Sequence, residues 1–183
     1  HRVFYWTADW GEIKRLHFRK CELSNVMQDT WQFTLSPGIK TWLATLDRYG
    51  IKSVLCAPRP RAKVEAIVKQ VALEEFFTNS QLVTADDEFE SLEQMLLIAS
   101  IKLERPPRKC VVFTDKPDGI TASREVSARV VALVGAHPAY EIKSADSTVS
   151  SFSDLVVYHV RSLFAQEGLD FMDPETEMEQ RTE

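Results

Sequence analysis

Two patterns of apolar residues alternate along the chain from residue 39 onward: short continuous runs, and longer stretches in which apolar positions recur every three or four residues. The runs are typical of strands that are buried on both faces, and the spaced pattern is typical of helices with one apolar face. Strands that alternate with helices indicate right-handed βαβ crossovers. The pattern therefore predicts an α/β fold in which a parallel sheet lies between two layers of helices.

The bounds of the predicted elements follow from these patterns and from the residues that interrupt them. Strands are predicted at residues 51–56, 81–84, 110–113, 129–134 and 147–149. Helices are predicted at residues 39–50, 64–77, 92–103, 119–127 and 153–166. Pro37 and Gly50 stand at the two ends of the first of these helices, where proline and glycine are favoured.

The two ends of the chain differ in composition from the part between them. Residues 1–35 contain seven aromatic residues, and the spacing after Trp10 predicts a helix that reaches about Met27. Residues 168–183 are polar and acidic. We therefore divide the chain into an aromatic-rich helical segment (1–35), an α/β core (36–167) and an acidic tail (168–183). Exposed aromatic residues often mark docking surfaces, so we expect the first segment and the tail to contact other protein chains.

The net charge, the absence of a long apolar stretch and the cysteine content argue against several classes of protein. The net charge of −5 among 183 residues argues against sequence-independent nucleic-acid binding, which rests on basic surfaces. No apolar stretch approaches the roughly 18 residues of a membrane span. Cys21, Cys56 and Cys110 are scattered among apolar neighbours, so free thiols in a reducing intracellular compartment are expected. The chain begins at His1 rather than Met, and we expect it to be processed or incomplete upstream.

Two places carry candidate ligand-binding chemistry. Asp115 and Asp118 follow the run at 110–113, and two carboxylates at the carboxyl end of a strand are suitable Mg²⁺ ligands. The same residues also suit a strand-to-helix turn without a metal. Arg59 and Arg61 lie at the start of a predicted helix, where an anion could bind, although a solvated basic turn is the other interpretation. His17, His137 and His159 are expected to be structural or surface residues rather than metal ligands.

Several motifs together resemble the haloacid dehalogenase-like (HAD-like) hydrolases with an α-helical cap. They are Pro37-Gly38, the Leu-x-x-x-Gly-Ile at 46–51, the Val-Val-Phe-x-Asp-x-x-Asp-Gly-Ile at 111–120, the Gly-Ala-His-Pro at 135–138 and Ala145-Asp146. The chain is most similar to sugar-phosphate phosphatases of plant and algal plastids, including CbbY-like enzymes, and residues 6–20 resemble the end of their cap. The resemblance implies a Rossmann-like, three-layer core with a truncated or absent cap, and a plastid location.

The resemblance also implies four catalytic motifs, which this sequence matches poorly. An Asp-x-Asp nucleophile motif is absent, and the nearest candidate is a single acid, Asp9. The position of the phosphate-binding hydroxyl is Ala57, and the loop expected to supply a lysine carries four acids at 86–90 and no Lys. Asp115 fits one Mg²⁺ ligand and Asp118 a possible second. A phosphate site without nucleophile, hydroxyl donor and cation lacks the means of turnover.

We therefore interpret the chain as a pseudophosphatase with no catalytic residues, which serves as a binding or structural subunit of a larger assembly. We expect no cofactor for an inactive protein, and Mg²⁺ if any phosphatase activity remains. The alternative is a Mg²⁺-dependent phosphomonoesterase of a small phosphorylated metabolite, whose nucleophile strand lies upstream of or outside this chain. A third hypothesis is a sensor that holds an anion at Arg59 and Arg61 without reaction.

The resemblance raises one structural question about the middle of the sheet. In such hydrolases the nucleophile strand lies between the strands that here end at Ala57 and Asp115. The place must be filled by residues 3–7, whose composition suits a strand, by residues that precede His1, or by a partner. An empty place would leave backbone donors and acceptors unpaired inside the fold.

Overall fold

The structure is a computed structural model that describes residues 9–30, 33–135 and 137–165. The chain divides into two compact units, His1–Thr34 and Leu35–Glu183. The described part of the first unit contains helix α1 (Trp10–Thr30), so the predicted helix is present and continues past Met27. The carboxylate of Asp9 accepts a hydrogen bond from the Gly11 amide at 2.9 Å, at the start of this helix. Residues 3–7 and the acidic tail lie outside the described residues.

The second unit contains the alternating helices and strands that the sequence predicts. Its helices are α2 (Ile39–Arg48), α3 (Arg61–Gln70), α4 (Leu92–Lys102), α5 (Pro117–Glu125), α6 (Ala139–Ile142) and α7 (Val157–Ala165). Its strands are β1 (Leu55–Ala57), β2 (Leu82–Thr84), β3 (Val111–Thr114), β4 (Arg129–Leu133) and β5 (Ser147–Val149). None of the described helices is both long and apolar enough to cross a membrane.

The strands are parallel, but they form two hydrogen-bonded groups. Strand β1 pairs with β2, with Ala57 opposite Thr84. Strand β4 lies between β3 and β5, with Thr114 of β3 opposite Ala132. The described residues contain no ladder between β1 and β3. The predicted parallel pairing is therefore present, whereas a single continuous sheet is not formed within the described part of the chain.

Helices cover both faces of the strands and produce the three layers. On one face, Leu43 of α2 packs in a cluster with Leu82 of β2, and the adjacent Trp42 packs in a cluster with Val131 of β4. On the other face, Met95 of α4 packs with Val83, and Ile120 of α5 packs with Val130. Each of these helix residues and strand residues is buried in the core.

Three predicted elements are at least three residues shorter in the structure than the sequence predicts. The strand at 51–56 is limited to Leu55–Ala57, where β2 supplies a pairing partner. The helix at 64–77 starts earlier, at Arg61, but ends at Gln70, and Ala72 takes a positive φ of 52°. Apolar residues after Ala72 suggested a continuing helix, but they pack against the core from a turn.

The helix predicted at 153–166 begins only at Val157, because the preceding residues pack against the start of α2. The Ser151 hydroxyl donates to the carbonyl of Pro37 at 3.1 Å. Gly38 lies so close to Ser153 that a Cβ atom at Gly38 would clash with the Ser153 backbone. Residues Phe152–Asp154 form a 3₁₀ turn that makes this contact possible.

Candidate site at the carboxyl ends of the strands

The carboxyl end of β1 offers no side-chain donor to a ligand. Ala57 ends the strand, and its carbonyl accepts a hydrogen bond from the Arg59 amide at 2.7 Å in a tight turn. The carbonyl of Arg59 accepts in turn from the Ala85 amide at 2.9 Å, which ties this turn to the end of β2. The position that the resemblance assigns to a phosphate-binding hydroxyl therefore holds only a methyl group.

Cys56 of β1 is a packing residue. Its side chain lies against the cluster formed by Val83, Met95 and Ala99. Burial raises the pKa of this thiol to about 11, while the nearby Lys102 acts in the opposite direction. A thiol with this pKa stays protonated near neutral pH and is a poor nucleophile.

The end of β2 is organised around one carboxylate, that of Asp87. It accepts hydrogen bonds from the Thr84 amide at 2.8 Å, the Thr84 hydroxyl at 3.2 Å and the Lys102 ammonium at 2.7 Å. The guanidinium of Arg61 lies 3.5 Å away. Burial alone acts to raise the pKa of Asp87, but the hydrogen bonds and charge of Lys102 and Thr84 outweigh it, and the pKa is lowered. Asp87 is therefore an ionised and neutralised acid.

This network corrects the predicted electrostatics of the acidic loop. The sequence predicts four acids at 86–90 with no cation to offset them. Lys102, at the end of α4, is bound to Asp87 and to the carbonyl of Leu82 at 2.6 Å. The sequence carries one signal for this contact: Lys102 is the one basic residue of α4, which is otherwise strongly apolar. Its aliphatic stem can lie along the apolar surface of the helix and carry the ammonium to an acid at the edge of the core.

The start of α3 is bound by a second carboxylate of the same loop. Asp86 accepts a hydrogen bond from the Arg61 backbone amide at 3.0 Å, and the Arg61 guanidinium also donates to the carbonyl of Asn79 at 3.2 Å. Acidic side chains are favoured at helix N-termini, where amides lack intrahelical partners. The structure thus brings Arg61 together with two acids of the chain itself. The prediction that Arg59 and Arg61 bind an anion stays a prediction.

Asp115 directly follows β3, and Asp118 lies in the first turn of α5. Both are exposed, and neither carboxylate has a hydrogen bond or an ion pair within the described residues. The turn between them is tight: the Lys116 amide donates to the Thr114 hydroxyl at 3.2 Å, and a Cβ atom on Gly119 would lie 2.5 Å from the same oxygen.

A magnesium ion is implied by the resemblance, and these two carboxylates fit it only in part. Mg²⁺ is commonly held by one or two carboxylates that are completed by water and by substrate phosphate. Among residues 9–30, 33–135 and 137–165, no group of three or more His, Cys, Asp or Glu residues is placed to hold a metal. Asp115 and Asp118 therefore do not form a complete metal centre with other described residues.

Two histidine contacts were missed by the sequence analysis. His17 Nε2 lies 3.6 Å from Cys21 Sγ, one helical turn away, and His137 Nδ1 lies 3.0 Å from a carboxylate oxygen of Glu141. Both pairs are spaced by four residues, a spacing that could have been read from the sequence. Each pair supplies only two ligand atoms, so neither makes a metal site by itself.

Comparison of this chain with solved structures identifies its fold. A HAD hydrolase of family IA, variant 3, from Entamoeba histolytica superposes with a TM-score of 0.72 at 20% identity, over 86% of this chain and 73% of that chain. This chain has the HAD-like fold. CbbY from Rhodobacter sphaeroides, solved as a mutant in complex with xylulose-(1,5)bisphosphate, gives 0.62 at 23% identity over 78% and 65%. β-Phosphoglucomutase from Clostridium difficile gives 0.64 at 15% identity over 88% and 70%.

One curated relative is similar to this chain in sequence over almost its whole length. It is the chloroplastic 5-amino-6-(5-phospho-D-ribitylamino)uracil phosphatase of Arabidopsis thaliana, which is 27% identical over 183 residues. The alignment covers 99% of this chain but 48% of the relative, so the chain spans about half the length of the relative it matches. No profile of a known protein family matches the chain. The predicted similarity to HAD-like hydrolases, with CbbY among the neighbours, is confirmed.

Proposed function

We propose that this chain is a pseudophosphatase, a catalytically inactive HAD-like protein that acts as a binding or structural subunit. One observation carries the proposal. The amide at the start of α3 is bound to Asp86, and the guanidinium of Arg61 lies against Asp87. The backbone amide and the guanidinium of Arg61, two groups at this edge that could attract a phosphate, are thus already bound to carboxylates of the chain itself.

Elementary electrostatics explains why this arrangement disfavours phosphate chemistry. A phosphate at the start of α3 would have to displace Asp86 and would then lie beside the negative charge of Asp87. Like charges about 4 Å apart repel by roughly 4 kcal/mol at an effective dielectric constant of 20. Ala57 offers no hydroxyl in compensation, and the 183 residues contain no Asp-x-Asp pair. Asp115 and Asp118 do not belong to any group of three or more potential metal ligands among the described residues.

The setting of this subunit is part of the proposal. The chloroplastic location of the Arabidopsis thaliana relative supports a plastid location for this chain. The exposed side chains of Trp10, Leu16 and Phe18 on α1 support docking to other protein chains through residues 1–35. The acidic tail at 168–183 is proposed as the second docking segment.

A phosphatase assay tests the absence of turnover. The purified chain is incubated with Mg²⁺ and small phosphomonoesters, including sugar phosphates, next to the variants Asp115→Ala and Asp47→Ala. Asp47 is an exposed acid on α2 and serves as the matched control. We expect no phosphate release above buffer from any of the three proteins. Turnover that Asp115→Ala abolishes and Asp47→Ala preserves contradicts the proposal.

A second candidate function is a Mg²⁺-dependent phosphomonoesterase of a small phosphorylated metabolite, whose nucleophile strand lies outside this sequence. It is favoured by the missing ladder between β1 and β3 within the described residues and by the 48% coverage of a phosphatase. Under this candidate, a longer protein that supplies an Asp-x-Asp strand hydrolyses phosphate esters in the presence of Mg²⁺, and Asp115→Ala abolishes that turnover. Inactivity of the longer protein rules this candidate out.

A further inference from the structure

We propose that His17 and Cys21 of α1 bind a zinc ion through His17 Nε2 and Cys21 Sγ. The pair supplies two of the four ligands of a tetrahedral ion, and water completes the set. The pair is called the α1 metal site below. It lies in the first compact unit, outside the α/β core, and it does not depend on whether the chain hydrolyses phosphate esters.

The helix itself brings the two side chains of the α1 metal site together. His17 and Cys21 are four residues apart within Trp10–Thr30, and residues at that spacing are neighbours on one face of an α-helix. His17 Nε2 lies 3.6 Å from Cys21 Sγ. Because both residues belong to one continuous helix, this arrangement does not require a contact with any other part of the chain.

The distance between the two atoms is the distance that a tetrahedral zinc ion requires. Zn–N bonds of about 2.0–2.1 Å and a Zn–S bond of about 2.3 Å place the two ligand atoms about 3.5–3.6 Å apart. The 3.6 Å between His17 Nε2 and Cys21 Sγ agrees with this value. His137 and Glu141 have the same spacing in the sequence, but their atoms are only 3.0 Å apart. Zinc would hold a nitrogen and an oxygen about 3.3–3.5 Å apart, so the second pair fits a direct hydrogen bond instead.

The surroundings of the α1 metal site favour zinc over magnesium. Cys21 is a free, exposed thiol, and the side chain of His17 is also exposed. Among the described residues, no third His, Cys, Asp or Glu joins the pair. Lys14 and Lys20 lie three residues before and after His17, and their charges oppose a cation that is held by charge alone. Zn²⁺ forms bonds to imidazole nitrogen and thiolate sulfur, whereas Mg²⁺ prefers oxygen ligands.

Metal binding at this site should stabilise α1. All side chains described in this helix, from Trp10 to Leu23, are exposed, so tertiary packing within the described residues contributes little to its stability. An ion bound to His17 and Cys21 links two successive turns, and it binds the helical conformation in preference to the unfolded segment. The thiol releases its proton when the metal–sulfur bond forms.

Titration of the reduced, metal-free 183-residue chain tests the site. Zn²⁺ affinity is measured by competition with a chromophoric indicator, and Cd²⁺ is added separately to record the ultraviolet absorption of a metal–thiolate bond. We expect one Zn²⁺ per chain at this site, no displacement by Mg²⁺, and thiolate absorption with Cd²⁺. Cys21→Ser and His17→Asn should each weaken Zn²⁺ binding at least tenfold, because the second ligand no longer binds intramolecularly.

Matched variants show whether the effect belongs to this pair. Cys110→Ser removes a half-buried thiol that contacts the carbonyl of Pro106, and His137→Asn removes a histidine that is paired at the same spacing. Both variants should keep the wild-type affinity and the thiolate absorption. Equal losses in Cys21→Ser and Cys110→Ser, or an affinity that neither Cys21→Ser nor His17→Asn changes, overturn the α1 metal site.

Amide hydrogen exchange gives a readout that does not depend on the indicator. Zn²⁺ should slow exchange at residues 17–21 in the wild type and not in Cys21→Ser, and exchange in β3 and β4 should stay unchanged. The two exposed substitutions leave the core intact, which circular dichroism of each variant checks. Exchange in α1 that is the same with and without Zn²⁺ also overturns the proposal.

Discussion

The ammonium of Lys102 lies 2.7 Å from Asp87 Oδ1, although the two residues are separated by 15 positions. The contact joins the last turn of α4 to the 3₁₀ turn Ala85–Asp87 that follows β2. Both side chains are largely buried, with 23% and 16% of their surface exposed. The same ammonium donates to the carbonyl of Leu82, so a single side chain satisfies an acid and a strand carbonyl.

Replacement of Lys102 is therefore expected to destabilise the fold. Lys102→Met removes the neutralising charge and leaves Asp87 with Arg61 at 3.5 Å and with Thr84. Loss of one partner of a buried pair costs about 3–5 kcal/mol, and partial exposure here reduces the expected loss to about 2 kcal/mol. Urea unfolding measures it. Lys52→Met is the matched control, because Lys52 forms an equally short but exposed pair with Glu104. An equal loss in both variants contradicts the prediction.

The lowered pKa of Asp87 predicts a stability that depends on acid pH. The folded-state pKa lies below the ordinary value of 3.8, so the unfolded chain takes up the proton first as the pH falls. The stabilisation is fully present above pH 3.8 and is lost as the pH falls through the folded-state pKa. Urea unfolding between about pH 7 and acid pH should show a smaller decrease for Asp87→Asn than for the wild type. Asp47→Asn should keep the wild-type slope, and a parallel curve for Asp87→Asn argues against the assignment.

Cys56 and Cys21 should differ strongly in their reaction with iodoacetamide. Burial holds the pKa of the Cys56 thiol at about 11, so the reactive thiolate is scarce at about pH 8, and Cys21 is exposed. Mass spectrometry of the folded protein should find Cys21 alkylated well before Cys56. In urea the two rates should become similar. Equal rates in the folded protein would show that Cys56 is accessible and ionised, contrary to its place in the core.

Gly119→Ala should destabilise the turn that carries Asp115 and Asp118. The added Cβ atom would lie 2.5 Å from Thr114 Oγ1 and 3.2 Å from Thr114 Cβ, so the strand or the helix must shift. Such overpacking costs about 1–3 kcal/mol. A double-mutant cycle with Thr114→Ala provides the control, because removal of the hydroxyl relieves the closest contact. Additive losses in that cycle would mean that the clash with Thr114 is not the cause.

The elements of the core could be predicted because their signals are local. The strand predicted at 110–113 is Val111–Thr114 in the structure, and the helix predicted at 119–127 is Pro117–Glu125, so each bound lies within two residues of its predicted position. The ends of helices and strands are harder to predict from the sequence where tertiary packing determines them. Apolar residues after Gln70 continue the helical spacing but pack from a turn, so periodicity alone extended α3 too far.

The electrostatics of the candidate site could not be predicted in the same way. Asp86 is bound to an amide 25 positions away in the sequence, and Asp87 is bound to an ammonium 15 positions away. In each pair the two residues lie in different elements, so the periodic pattern of one helix or strand cannot predict the contact. The positions of Ala57 and Asp115 can be read from the sequence because they lie directly at the ends of strands, and Asp118 lies in the first turn of the helix that follows β3.

Trp42 and Leu43 are neighbours in α2, and each belongs to the apolar cluster of a different group of strands. This helix therefore packs against both groups of strands, which share no ladder within the described residues. Unfolding of α2 would remove packing from both groups of strands at the same time. We therefore expect the second unit to unfold in one cooperative step rather than one group of strands after the other.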